Sequence, residues 1–301
     1  MKTGTTQSSI NNSLLFALKV FVSLLALGWV IYSMRALDWQ AARDSFSRVS
    51  LVKAGACFSL VLVIYASRLF RLRLWIERIA IRRMPIAQWV DIYLQSIALG
   101  SITPARLGDF SRVGLLAPTG LDLKTRGKIV LQDKLTDLLY IPLGLCLTAT
   151  TVAGRFGLSS MGLWTAGLVA TLIFFVLSYW FGRPLGMEPL FVGWAVTFLG
   201  LGLYIVSNGL LFWAVNIQLS LIDVAAIVLT VGIIASMPVS IGGLGIRESS
   251  LFSLLTLWGV APEFIPALLV WEFLLNIVFP AALYVVWHLF APQKNTWLKS
   301  G

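Results

Sequence analysis

The chain has 301 residues, 58% of them hydrophobic and only 12% charged, against roughly a quarter charged in soluble domains. That excludes a soluble single-core protein and the disordered, collagenous and disulfide-rich classes, and leaves an all-α polytopic membrane protein. A net charge of +10, from 23 Lys and Arg against 13 Asp and Glu, suits anionic headgroups and membrane orientation rather than nucleic acid.

The polar stretch Met1 to Asn12 precedes an apolar run too long for a cleaved signal peptide, so it reads as an anchor. Apolar segments follow at 13–34, 51–70, 129–153, 160–182, 190–214 and 265–290, each close to the ~20 residues of a crossing helix. Two longer apolar regions, 86–117 and 221–259, are interrupted by Pro, Gly and charge. The first break is Gly100-Ser101-Ile102-Thr103-Pro104-Ala105-Arg106-Leu107-Gly108-Asp109 and the second runs from Pro238 through Gly242-Gly243-Leu244-Gly245 to Arg247-Glu248. Cys57 and Cys146 lie in apolar stretches and read as small buried hydrophobes. The tryptophans, among them Trp29, Trp39, Trp75, Trp89 and Trp297, read mainly as interfacial anchors.

Basic loops flank the first break: Arg68, Arg71, Arg73, Arg78, Arg82 and Arg83 before it, Lys124, Arg126 and Lys128 after it. Loops rich in Lys and Arg stay cytoplasmic, so 86–117 is expected to enter and return as a re-entrant hairpin rather than cross. The same reading makes 221–259 an outer hairpin, places Lys294 and Lys299 inside, and puts both termini in the cytoplasm. Two inverted repeat halves result, about 13–153 and 160–290, within one integral membrane domain, with broken segments meeting at the midplane. Ser101-Ile102 leading to Asp109, and Ser240-Ile241 leading to Glu248, echo that duplication. The loop 35–50, with Arg35, Arg43 and Arg48, fits this orientation least well.

Charged groups within spans are expensive and face the bundle interior, pair, or line a wet cavity. Here they cluster: Arg106, Asp109 and Arg112 at the first break, Asp133, Lys134 and Asp137 after it, Arg247 and Glu248 at the second break, Glu272 and Asn276 in the last span. The spacing of four puts Asp133 with Asp137, and Glu272 with Asn276, on one helix face. Guanidinium groups beside helices that start within the membrane suit a phosphate headgroup, so Arg106, Arg112 and Arg247 are expected to bind it, with Gly242 and Gly243 as a backbone cradle. Asp109, Asp133, Lys134, Asp137, Glu248, Glu272 and Asn276 are expected to orient those arginines or couple movement to protons. The competing reading is that Arg–Asp pairs only lock the hairpins. A single histidine, His288, gives no multi-histidine metal site or nucleophile triad, and no P-loop is present; no cofactor or metal is expected.

On Pro104-Ala105-Arg106-Leu107-Gly108-Asp109 with Arg112, Asp133-Lys134-x-x-Asp137, and Pro238-x-Ser240-Ile241-Gly242-Gly243-Leu244-Gly245-Ile246-Arg247-Glu248, nearly the whole chain resembles a family of membrane domains. It is typified by the flippase part of bacterial lysylphosphatidylglycerol synthetases. Members often carry Glu in place of Asp109, and Glu-Arg in place of Asp133-Lys134. The chain ends about a dozen residues beyond its last span, so the family's lysyl-transferring activity is not expected of it. The resemblance implies movement of a phospholipid or a polyprenyl-phosphate glycolipid between leaflets of the cytoplasmic membrane. The alternative is a membrane subunit or enzyme acting with a glycosyltransferase in lipid-linked sugar or envelope synthesis. Expected partners are membrane lipids, with a glycosyltransferase or a second copy of the chain left open.

Overall fold

The computed structural model describes residues 39–236 and 244–290. The expected first span 13–34, Gly242 and Gly243, Trp29, Trp297, Lys294 and Lys299 lie outside the described residues, and for Arg106 the backbone is described but not the side chain. Among the described residues every regular element is helical: α1 (Trp39–Ser47), α2 (Leu51–Glu77), α3 (Ile86–Ile102), a 3-10 segment (Pro104–Ser111) running into α4 (Arg112–Leu115), α5 (Leu123–Leu138), α6 (Tyr140–Phe156), α7 (Ser160–Gly182), α8 (Met187–Ala214), α9 (Leu221–Ser236), α10 (Ile246–Leu257), α11 (Ile265–Phe273) and α12 (Phe279–Phe290). Five helices there are long and apolar enough to cross a membrane: Leu51–Glu77, Leu123–Phe156, Ser160–Gly182, Met187–Ala214 and Pro262–Phe290. They coincide with the expected spans other than 13–34.

Two span boundaries differ from the sequence reading by more than three residues. The helix expected to stop at residue 70 continues to Glu77, because its arginines find partners inside the bundle. The span expected from 129 starts at Leu123, where Asp122 caps the helix by accepting from Thr125 N–H at 3.1 Å. Hydrogen bonds from the Thr125 side chain and N–H also hold the Asp122 carboxyl below the usual carboxylate range. That span is interrupted at Leu139, where Pro142 has no N–H to offer the Leu138 carbonyl. A π-helical turn, Leu274–Val278, interrupts the last span in the same way, around Asn276, whose carbonyl Pro280 has no N–H to serve.

Both broken regions double back. After Thr103 the 3-10 segment returns along α3 so closely that a Cβ on Gly108 would lie 2.3 Å from the Leu99 carbonyl carbon; only glycine fits there. The two ends of this excursion are tied together, since Ile81 and Arg82 N–H both donate to the Thr119 carbonyl oxygen at 3.1 Å. In the second region α10 packs against α9, and the indole N–H of Trp258 donates to Asp223 Oδ1 at 2.9 Å, joining its exit to its entrance.

α2 and α8 run antiparallel in close contact. At one end Ser50 N–H donates to the Ala214 carbonyl at 2.9 Å, and at the other Arg78 pairs with Glu188 at 3.0 Å. Trp75 and Trp89, read from the sequence as interfacial anchors, are instead fully buried. Gly193 makes room for Trp75, whose ring lies where a Cβ would sit 2.3 Å away, and the Trp75 N–H is satisfied by the Pro189 carbonyl at 2.8 Å. α7 forms an outer wall, exposing Leu168, Val169, Leu172, Ile173 and Val176, as a lipid-facing helix does.

Candidate functional site

The sequence places a buried acid at the centre of the first half. Asp133, on α5, faces both α2 and the first doubled-back region, and each of its oxygens takes a different guanidinium. Oδ1 accepts from Arg71 at 2.6 Å, and Oδ2 accepts from Arg112 at 2.7 Å. Arg71 also donates to Asp137 Oδ1 at 2.7 Å and to Thr197 Oγ1 at 2.7 Å. Arg112 donates through Nε to Ser96 Oγ at 2.7 Å, stands 4.8 Å over the Tyr93 ring, and lies 3.9 Å from Asp109. Lys134 pairs with the other oxygen of Asp109, and Arg68 approaches Asp137 at 3.9 Å.

Four cations therefore meet three carboxylates: Arg68, Arg71, Arg112 and Lys134 against Asp109, Asp133 and Asp137. Burying ions is repaid only when each finds close opposite charge and its remaining donors are satisfied. The inner members obey that rule, with Arg71, Arg112 and Asp133 at 3% side-chain exposure or less. Arg68 and Lys134 are the open members, at 30% and 20%. The surplus positive charge thus reaches the accessible side of the cluster.

In the second half Arg247, the second residue of α10, pairs with Glu272 on α11. Asn276, in the π-helical turn, donates to Glu272 Oε2 at 2.7 Å. Glu248 caps α10 by accepting from Gly245 N–H at 2.6 Å. The helix N-terminus expected to receive an anion there is served by the chain's own carboxylate. The π-helical turn and α12 pack on α3, so the two halves of the charged system share a helix.

The structure brings together Asp109, Arg112, Asp133, Lys134 and Asp137 as one group and Arg247, Glu272 and Asn276 as another. Sequence reasoning missed Arg71 and Arg68, assigning both to a basic loop, and missed Ser96, Tyr93 and Thr197. One signal for Arg71 was present: Cys57, Val61, Ile64, Arg71 and Trp75 fall on one helical stripe, and all are buried. Among the described residues no group of three or more His, Cys, Asp or Glu is placed to hold a metal ion.

A family model described as the lysylphosphatidylglycerol synthase TM region matches residues 16–190. The chain belongs to this family. The lysylphosphatidylglycerol synthase TM region therefore includes every member of the first charged cluster and ends before Arg247, Glu248, Glu272 and Asn276. No curated protein matches the chain. Membership of the lysylphosphatidylglycerol synthase TM family, with the apolar helices, makes this a multi-pass membrane protein with a lipid-related function.

Proposed function

We propose that the chain moves a phosphate-bearing lipid, a phospholipid or a polyprenyl-phosphate glycolipid, between the leaflets of the cytoplasmic membrane. The observation that carries this reading is the cluster of four cations and three carboxylates among the membrane helices, with its surplus charge on the partly open Arg68 and Lys134. A headgroup phosphate would meet those two first, while Arg71 and Arg112 stay on Asp133. Arg106 and Arg247 would complete the path from the two breaks, and Asp137, the least buried of the three carboxylates, is the one placed to exchange partners or a proton. Both excursions would be re-entrant hairpins of inverted repeats. In support, each break is followed by an arginine held by a carboxylate of the next span, Arg112 by Asp133 and Arg247 by Glu272. The end carrying Arg78, Arg82, Arg83 and Lys124 would face the cytoplasm.

The test is translocation of labelled phospholipids and of a polyprenyl-phosphate glycolipid in proteoliposomes. Arg68→Gln, Lys134→Gln, Arg106→Ala and Arg247→Ala are each expected to slow movement at least tenfold while the protein remains folded. Normal movement in all four folded variants would remove the charged clusters from the path. No movement by the folded wild-type chain would direct attention to a glycosyltransferase-dependent enzyme instead.

A further inference from the structure

Outside the charged cluster, one cleft carries an unexplained polar atom. It lies where α5, the end of α7 and the segment after α2 meet, is lined by Ile79, Thr125, Lys128, Gln132, Phe181 and Leu185, and has a cavity volume of about 70 Å3 behind an open mouth. Gln132 is 1% exposed. Its amide nitrogen is fully used, donating to Ser178 Oγ at 2.7 Å and Thr136 Oγ1 at 3.3 Å. Its carbonyl oxygen, also buried, has no hydrogen-bond partner among the described residues. Buried acceptors are rarely left so, and Gln132 is one of the residues lining the cleft.

The rest of the cleft defines what that ligand offers. Lys128 is exposed at the rim, with Lys124 and Arg183 exposed at the same end of the bundle, so the mouth attracts an anion. Lys128 and Gln132 are four residues apart on α5, which stacks the ammonium over the amide on one face. A molecule spanning them carries a phosphate at the rim and a hydrogen-bond donor further in. The basic surroundings favour a hydroxyl over an ammonium as that donor. Phe181 and Leu185 make the wall apolar. Leu177 and Ile173, one and two turns before Phe181 on α7, are exposed on its lipid-facing side, a track for acyl chains leading from the mouth.

We propose that this cleft is a docking site for the headgroup of a bilayer lipid, an anionic phosphodiester ending in a hydroxyl group. The phosphate pairs with Lys128 and the hydroxyl donates to Gln132 Oε1, while the chains lie along α7. Gln132 turns toward Ser178 and Asp133 toward the arginines, so this lipid braces α5 against α7 and is separate from any lipid that is moved. The assignment does not depend on transport.

The purified full-length chain, titrated with dioleoyl phosphatidylglycerol and followed by native mass spectrometry, tests it. Lys128→Glu, at an exposed position, and Ile79→Trp, which fills the cleft from a partly exposed position, are each expected to retain one lipid fewer than wild type. Their melting curves establish that both are folded. Dioleoyl phosphatidylcholine has the same phosphodiester but no N–H or O–H donor, and is expected to occupy the site at least tenfold less. Inorganic phosphate at millimolar concentration is expected not to displace the lipid. The same number of retained lipids in both variants, equal occupancy by phosphatidylcholine, or displacement by inorganic phosphate would overturn the proposal.

Discussion

Asp133 sits between two buried guanidinium groups and, among the described residues, is the one carboxylate within 3 Å of both. Arg71 spends three donor contacts on it, including one on its backbone carbonyl at 3.3 Å, and Arg112 spends one. Removing one partner of a buried ion pair leaves the other charge desolvated, a loss of roughly 3–5 kcal/mol. Asp133→Asn is therefore expected to lower the melting temperature in detergent far more than Glu77→Gln, which breaks a half-exposed i,i+4 pair with Arg73 at 2.8 Å of about 0.3–0.5 kcal/mol. Equal melting temperatures for the two variants would mean that the arginines are solvated in the folded protein. Asp109→Asn should fall between them, because its partner Lys134 is partly exposed and can swing its ammonium outward along a flexible stem.

At the scale of the helix, close backbone approach decides what the first doubled-back region can be. Gly108 lies on the Leu99 and Gly100 backbone, with a Cβ there 2.6 Å from Gly100 N, and its neighbour Asp109 holds Lys134. Gly108→Val must push the returning segment off α3 and carry Asp109 and Arg112 with it. Overpacking of this kind costs about 1–3 kcal/mol, and lipid movement is expected to be lost in proteoliposomes. Gly114→Ala, where a Cβ would meet nothing within 4 Å, should behave as wild type; matching behaviour of the two variants would show that the close approach has no functional weight. The break itself was legible in the sequence, because Gly, Pro and charge in an apolar run leave few other structures. So was the shared face of Asp133 and Asp137, which follows from helical spacing. The length of α2 was not, because hydropathy ends a span at its first arginines and cannot see that Asp133, 62 residues on, neutralises Arg71. Trp75 and Trp89 were misread for a related reason: tryptophan marks an interface on average, but a glycine on another helix, such as Gly193, can open a buried slot for it.

For the whole molecule, the two doubled-back regions are closed at opposite ends of the bundle. The chain leaves α2 at Glu77 and re-enters α8 at Met187 on the same side as the Thr119 tie, while Ala214, the start of α2 and the Asp223–Trp258 tie lie at the other end. The basic loops gather at the first of these ends, and a bilayer placed around the apolar wall of α7 puts the two ties in different aqueous compartments. Under the proposed function the two excursions would approach each other from opposite faces, the geometry a moving headgroup needs if it is never to leave charged groups for bare hydrocarbon. It also fixes a labelling pattern. In a chain carrying Cys57→Ala and Cys146→Ala, single cysteines at the exposed positions Lys124 and Arg82 should react with a membrane-impermeant maleimide only after the cytoplasmic face is opened. A cysteine at exposed Gln218, beside the second tie, should react in intact cells. Reaction of the cysteines at Arg82 and Lys124 from opposite sides would require the first region, which lies between them, to cross the bilayer completely, and the opposed arrangement of the two halves would then be wrong.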